Sequence, residues 1–176
     1  MKNIIENTRF EQRMFLKNFY NIDVCSWILK EVLEYTEKNG WEKSRHTSYP
    51  TTDIEINKIP HIFSFIMNSF YNRILKQITE FYNLKDQHSM HIFDGFIIKY
   101  KYNEQNHLEF HKDSSKLTFT ILLNSKDEFK GGGVKFMDDI IINADRGDLL
   151  IHSGEQLHCA LPIENGERYV LVCFLK

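Results

Sequence analysis

Hydrophobic positions along the chain change their period once, near residue 90. Upstream the period is helical: Val24, Trp27, Ile28, Val32 and Tyr35 fall on one face, with Asp23 placed to cap the start and Asn39-Gly40 to end it. A second stripe, Phe63, Ile66, Met67, Phe70, Ile74, Ile78 and Phe81, follows Pro60, a residue suited to a first helical position, and runs to about Tyr82. Apolar stripes of this kind build core, so both helices are expected to back a sheet. Between them, residues 52–56 alternate and are rich in β-branched side chains, which predicts a strand. Residues 1–20 show no period and are read as an arm or a short helix.

After Met90 everything reads as β. The candidate strands are 92–102, 117–123, 134–137, 140–143, 148–152 and 168–175. Gly131-Gly132-Gly133, Asp145-Arg146-Gly147, Ser153-Gly154 and Asn165-Gly166 supply turns. Many short strands behind two amphipathic helices predict an α+β fold, a double-stranded β-helix (jelly roll) with N-terminal helices packed on one sheet. No repeat or linker divides the chain. The expectation is a single domain over 1–176, with helical support over about 21–85 and a jelly-roll core at about 49–56 and 90–176.

The last strand decides how that core is used. Arg168, Val170, Val172 and Phe174 share one face, and Tyr169, Leu171, Cys173 and Leu175 the other, so the strand is apolar on both sides except at Arg168. A buried arginine is costly unless an anion meets it. Asn165-Gly166 could close a tight hairpin, but that register would set His158 about five residues, or roughly 16 Å, from Arg168. For the two to share a small ligand, the segment around Pro162 must cross from one sheet to the other.

Composition narrows the partners. A chain of 176 residues with a net charge of −2 gives no electrostatic case for wrapping nucleic acid and leaves room only for a local basic patch. No apolar run approaches the ~20 residues that span a bilayer. Three cysteines, Cys25, Cys159 and Cys173, form an odd set, and residues 1–10 lack the apolar centre of a signal peptide, which predicts a soluble, intracellular (cytoplasmic) protein. Oligomeric state is not readable, and a homodimer stays open.

The candidate chemistry sits at His111-Lys112-Asp113. In an extended segment a His-x-Asp pair puts both side chains on one face, and His158 would complete a three-ligand set. Two imidazoles and a carboxylate leave positions of an octahedral metal open, as a non-haem Fe(II) oxygenase requires. Arg168 can then fork onto the far carboxylate of a dicarboxylate such as 2-oxoglutarate. His46, His61, His88 and His91 read as surface or capping residues. His107 and His152 are less clear, His152 being a candidate to support the metal ligands. Cys159 reads as packing, since strand neighbours point to opposite faces.

Together these residues carry a family resemblance. Phe96-Ile97-Ile98-Lys99-Tyr100 to Glu104-Gln105, His111-Lys112-Asp113-Ser114-Ser115, Leu117-Thr118, Leu123-Asn124, Gly131-Gly132-Gly133, His152-x-Gly154, His158-x-x-Leu161-Pro162 and Gly166-x-Arg168-Tyr169 resemble the catalytic domain of the procollagen lysyl hydroxylases. That family lies within the prolyl 4-hydroxylase-like 2-oxoglutarate dioxygenases. Tyr49-Pro50-Thr51-Thr52-Asp53-Ile54 resembles the family's entry strand, so the likeness covers about 49–176.

The resemblance implies that His111, Asp113 and His158 bind Fe(II), that Arg168 holds 2-oxoglutarate, and that Tyr100 assists. Thr120 stands where the collagen enzymes resemble one another in having Asn, and its hydroxyl could still reach the co-substrate. O2 would be consumed, with ascorbate as reductant. A peptide or protein substrate follows, lysine favoured over proline. The chain has no room for the glycosyltransferase modules of the animal enzymes, which weakens the case for collagen and for a secretory location. Acidic residues Glu104, Glu109, Asp127 and Glu128 in mouth loops at 103–110 and 126–130 would suit a lysine, although surface charge is the simpler reading. The alternatives are a dioxygenase acting on a small molecule or nucleobase, a zinc hydrolase using the same ligands, and a non-catalytic metal- or ligand-binding jelly roll.

Overall fold

The computed structural model describes residues 3–5, 12–45, 49–84 and 90–176. Its first helix, α1 (Ile22–Asn39), is capped by Asn21, whose side chain accepts from the Val24 amide at 2.9 Å. Asp23, expected as the cap, lies two residues beyond it in the first turn, where its charge favours the positive helix start. Gly40 ends the helix at φ 79°, its N–H bonded to the Thr36 carbonyl.

The second helical stripe holds an irregularity. Helix α2 (Pro60–Ser69) begins at its proline, a π turn occupies Phe70–Ile74, and α3 (Leu75–Tyr82) completes the rod. Ile62, Ile66, Phe70, Ile74 and Ile78 are all fully buried. They recur strictly every fourth residue, and an α-helix of 3.6 residues per turn would rotate such a row away from the core. The wider π turn absorbs the drift and keeps the row on one face. The strict spacing was the available signal. Among the described residues, no helix is long and apolar enough to cross a membrane.

All strand pairs are antiparallel. The strands are β1 (Asn3–Ile5), β2 (Arg13–Leu16), β3 (Asp53–Glu55), β4 (Ile92–Lys101), β5 (Leu108–His111), β6 (Leu117–Leu122), β7 (Phe129–Gly131), β8 (Val134–Phe136), β9 (Ile141–Ile142), β10 (Leu149–Ser153), β11 (His158–Ala160) and β12 (Ile163–Leu175). A major sheet runs β1-β2-β10-β6-β12-β4-β3, with β7 paired to the start of β12, and a minor sheet runs β5-β11-β8-β9. The helices cover one face of the major sheet: Ile28, Ile66, Phe70 and Ile78 share a core with Ile97, Phe119, Ile121, Leu171 and Cys173. Phe70 stacks on Phe119 at 6.2 Å. On the other face Phe96, Ile98, Tyr100, Val170 and Val172 gather with Ala160 of the minor sheet. The two faces of β12 are thus both buried, as its composition requires.

The chain does cross between sheets at Leu161–Pro162: β11 belongs to the minor sheet and β12 to the major one. Asn165-Gly166 is therefore not a turn. It lies inside β12 beside a register shift, paired to Lys130 and Phe129 of β7. Gly166 has φ 77°, and a Cβ there would meet the Glu128 carbonyl oxygen at 2.2 Å.

Three further segments depart from the sequence pattern. Residues 13–16, expected as arm or helix, form β2 and pair with β10. Met14 and Phe15 are both buried, on opposite faces, so the segment lacks the alternation that marks a one-sided strand. The expected mouth loops at 103–110 and 126–130 contain strand: β5 takes up 108–110 and continues to His111, and β7 takes up 129–130 and continues to Gly131. Both are short, and Leu108–Phe110 is largely exposed, which hides them from a burial pattern.

Candidate active site

A cavity of about 350 Å³ opens between the sheets, lined among others by His111, Asp113, His158, Arg168, Tyr100 and Thr120. His111 ends β5 and His158 begins β11, and the two residues face each other across that pair. Their rings lie 4.4 Å apart. Asp113 comes two residues after β5 ends, on irregular chain rather than in the extended segment expected, and its amide donates to the Gly154 carbonyl at 2.9 Å.

Backbone carbonyls fix the imidazoles. His111 Nδ1–H donates to the Glu109 carbonyl and His158 Nδ1–H to the Gln156 carbonyl, each at 2.8 Å. Since a carbonyl can only accept, Nδ1 carries the proton and a neutral ring turns its Nε2 lone pair inward. Nε2 of His111 lies 3.4 Å from Asp113 Oδ1, and Nε2 of His158 3.8 Å from Asp113 Oδ2. The three ligand atoms fall within 4.8 Å of one another, so the group can hold a metal ion. Two nitrogens and one oxygen from short side chains suit a first-row divalent ion and leave coordination positions open.

The proton equilibria favour the ligating form at Asp113 and His158 and oppose it at His111. Burial would raise the Asp113 pKa, but the His111 hydrogen bond, the nearby His158 and His152, and the Thr118 hydroxyl outweigh it and hold it at about 2. Burial, with His152 adding to it, pushes His158 down to about 3. Burial also pulls at His111, yet its bond to Asp113 and the Glu109 carbonyl raise it above the ordinary value.

His152 is buried beside this group. Its Nδ1–H donates to the Ser153 carbonyl at 2.9 Å and its Nε2 lies 4.0 Å from Asp113 Oδ2, while burial lowers its pKa. His107 and His61 are exposed and bonded to surface carboxylates, Glu109 and Glu31. His91 is exposed, and His46 and His88 lie outside the described residues. Cys159 borders the cavity with its thiol raised by burial, apart from the three-ligand group.

Arg168 sits on β12, an interior strand of the major sheet, opposite Tyr100 of β4. It is buried, and its guanidinium lies 5.4 Å from the Tyr100 ring. Burial lowers its pKa, and among the described residues no carboxylate opposes that. Tyr100 is pushed up to about 12 by burial, so its hydroxyl stays protonated as a donor. Thr120 projects into the same cavity from β6. A buried cation beside the Tyr100 ring is a fitting receptor for a carboxylate, while Thr120 stands opposite Val172, four residues along β12 from Arg168.

Several residues in and around the cavity were not assigned a site role from the sequence. Arg45 packs 4.2 Å over the Phe96 ring, and Tyr49 lies with its ring 5.1 Å from that of His111. Arg13 buttresses the imidazoles from behind: it donates to Gln156 Oε1 and Asp138 Oδ2, both at 2.8 Å, and lies over Phe136, whose ring packs against His152 and His158. Of the expected mouth loops only Leu108 lines the cavity, and Glu104, Glu109, Asp127 and Glu128 do not.

No protein-family model matches the chain. The procollagen lysyl hydroxylase and glycosyltransferase of Acanthamoeba polyphaga mimivirus is 31% identical over 164 residues, which cover 83% of this chain and 18% of that protein. The human multifunctional procollagen lysine hydroxylase and glycosyltransferase LH3 is 27% identical over 165 residues, 86% of this chain and 22% of that protein. The chain thus spans about a fifth of the length of the curated relatives it matches. A prolyl-4-hydroxylase from Pseudomonas putida superposes with a TM-score of 0.68 at 16% identity, covering 93% of this chain and 91% of that one. Over most of its length, then, the chain is similar to one part of the procollagen lysyl hydroxylases, and it carries the fold of the prolyl 4-hydroxylase-like 2-oxoglutarate and Fe(II) oxygenases.

Proposed function

We propose that the chain is an Fe(II)- and 2-oxoglutarate-dependent dioxygenase that hydroxylates a peptidyl side chain, lysine ahead of proline, on a scaffold read as a double-stranded β-helix. The observation that carries the reading is the buried Arg168, with no carboxylate of its own among the described residues, in the same cavity as His111, Asp113 and His158. A dicarboxylate with one end at the His111, Asp113 and His158 group would give Arg168 the counter-charge that the chain does not supply. A zinc hydrolase would leave Arg168 unexplained.

His111 and His158 present Nε2, and Asp113, ionised at neutral pH, presents a carboxylate oxygen to the ion. Arg168 would hold the distal carboxylate of 2-oxoglutarate with the Tyr100 O–H beside it, and the Thr120 hydroxyl would offer the co-substrate a further donor from β6. Bound there, Fe(II) supplies the oxidising chemistry by which O2 and 2-oxoglutarate become succinate, CO2 and a hydroxylated C–H bond, ascorbate keeping the metal reduced. Phe96, Ile98, Val170, Val172 and Phe174 wall the cavity and exclude water from the reacting centre. The names of the curated relatives support lysine, and that of the Pseudomonas structure supports proline. Three buried, unbridged thiols fit a reducing intracellular compartment.

Succinate formation tests the reading, measured with Fe(II), ascorbate and 2-oxoglutarate for wild type and His111→Ala, with and without lysine- or proline-containing peptides. Succinate that needs His111 and rises with lysine peptides supports it. Succinate that ignores every peptide keeps the oxygenase and removes the peptidyl substrate. No succinate from folded, iron-loaded protein removes the enzyme.

A further inference from the structure

Asp113 is the residue on which the ligand group converges, yet it lies beyond the end of β5, where no ladder fixes its side chain. We propose that Thr118 is a positioning residue that sets the orientation of the Asp113 carboxylate for metal binding, with Ser115 supporting it. The inference rests on the reading of His111, Asp113 and His158 as metal ligands.

Thr118 Oγ1 donates to Asp113 Oδ2 at 2.5 Å. A hydroxyl has one proton, and an ionised carboxylate can only accept, so that proton is committed to Asp113. Ser115 Oγ lies 2.8 Å from Thr118 Oγ1 and must therefore be the donor in that contact. The result is a one-way series, Ser115 to Thr118 to Asp113, in which each bond polarises the next. Thr118 is 1% exposed, so water does not compete for the carboxylate oxygen.

The hydroxyl is mounted rigidly. Thr118 stands on β6 between two partners, His152 of β10 and Phe174 of β12, and its β-branched side chain is stiff at χ1. With Oδ2 held by Thr118, Oδ1 is the oxygen left nearer His111. The backbone closes the arrangement. Asp113 donates to the Gly154 carbonyl, Gly154 donates to the Lys116 carbonyl at 3.3 Å, and a Cβ on Gly154 would stand 2.1 Å from the Ser115 carbonyl oxygen. The loop bearing Asp113 and Ser115 thus lies backbone to backbone on the turn after His152. A valine could fill the Thr118 site equally well, but it could not hold the carboxylate.

The test is equilibrium binding of Fe(II), and separately Mn(II), to the purified chain without oxygen. Wild type, Thr118→Val, Thr118→Ser, Ser115→Ala and Asp113→Ala are compared, and a metal-free thermal melt checks that each is folded. Loss of a hydrogen-bond partner of a ligand weakens metal binding by about 10- to 100-fold. That loss is expected for Thr118→Val, with Thr118→Ser within about threefold of wild type and Ser115→Ala weakened less than tenfold. Wild-type affinity in folded Thr118→Val, or a Thr118→Ser as weak as Thr118→Val, overturns the positioning role. If Thr118→Val does not fold, the pair Thr118→Ser and Ser115→Ala decides: retention in the first with a few-fold loss in the second supports the role, and an unchanged Ser115→Ala overturns it. Failure of wild type to bind either ion, or equal binding by Asp113→Ala, would instead remove the metal site itself and the inference with it.

Discussion

Two arginines reach the same cavity, and the chain treats them in opposite ways. Arg45 lies over Phe96 near the start of β4, and Arg168 faces Tyr100 further along that strand. Arg45 donates to Asp53 at 2.8 Å and Asp94 at 3.0 Å, with Glu55 at 3.5 Å. Burial alone would lower its pKa, but Asp53 and Asp94 outweigh burial and the net shift is upward. Arg168 is more deeply buried, meets no carboxylate among the described residues, and is shifted downward by burial. Burial by itself therefore says little about purpose. What separates the two arginines is whether the chain supplies the counter-charge.

The largest expected effect separates the two by stability. Arg45→Met removes the cation facing three carboxylates, one of them fully buried, and is expected to cost about 3–5 kcal/mol in urea denaturation. Arg168→Met removes a buried charge that the ligand-free chain leaves uncompensated, and stability should hold or rise by about 0–2 kcal/mol. Equal losses would erase the distinction.

The imidazoles give a third point. In metal-free protein His158, held near 3, stays neutral when folded, and burial shifts His152 in the same direction, whereas both gain protons near pH 6.5 when unfolded. Between those values the unfolded state binds more protons, so their stabilisation is complete above pH 6.5 and is lost as pH falls. His111, shifted upward, acts in the opposite sense. With two groups against one, thermal stability under chelation should fall from pH 7 to pH 5, and a rise would contradict the burial of these rings. The smallest effect is expected at Thr120. Replacing it with Val removes one neutral donor from the cavity, and KM for 2-oxoglutarate should rise by less than about tenfold, roughly 1 kcal/mol.

The contrast between the arginines was half legible in the sequence. Arg168 announces itself because the strand around it is apolar on both faces, so its burial and its need for an anion follow from alternation alone. Arg45 belongs to a segment without period, and its three carboxylates come from two separate strands that only the fold brings together. The same holds within the ligand group. His111, Asp113 and His158 were readable as residue types with a spacing, and the crossing at Pro162 followed from the distance a small ligand can span. Thr118 was not, because a threonine on a β-strand needs no explanation until its hydroxyl is seen on Asp113. Helix positions came through because their stripes are amphipathic, and β2 did not because both its faces are buried.

The central claim is that Arg168 is reserved for the far carboxylate of a co-substrate whose other end meets the metal ligands. Binding of 2-oxoglutarate and of 2-oxobutyrate, which lacks that carboxylate, should be measured on oxygen-free, Mn(II)-loaded wild type and Arg168→Gln. A buried charged pair is worth about 2–5 kcal/mol when one partner is removed. The account predicts that Arg168→Gln weakens 2-oxoglutarate by about 30-fold or more, at the low end of that range, and leaves 2-oxobutyrate nearly unchanged. Equal weakening of both ligands, or of neither, would contradict it.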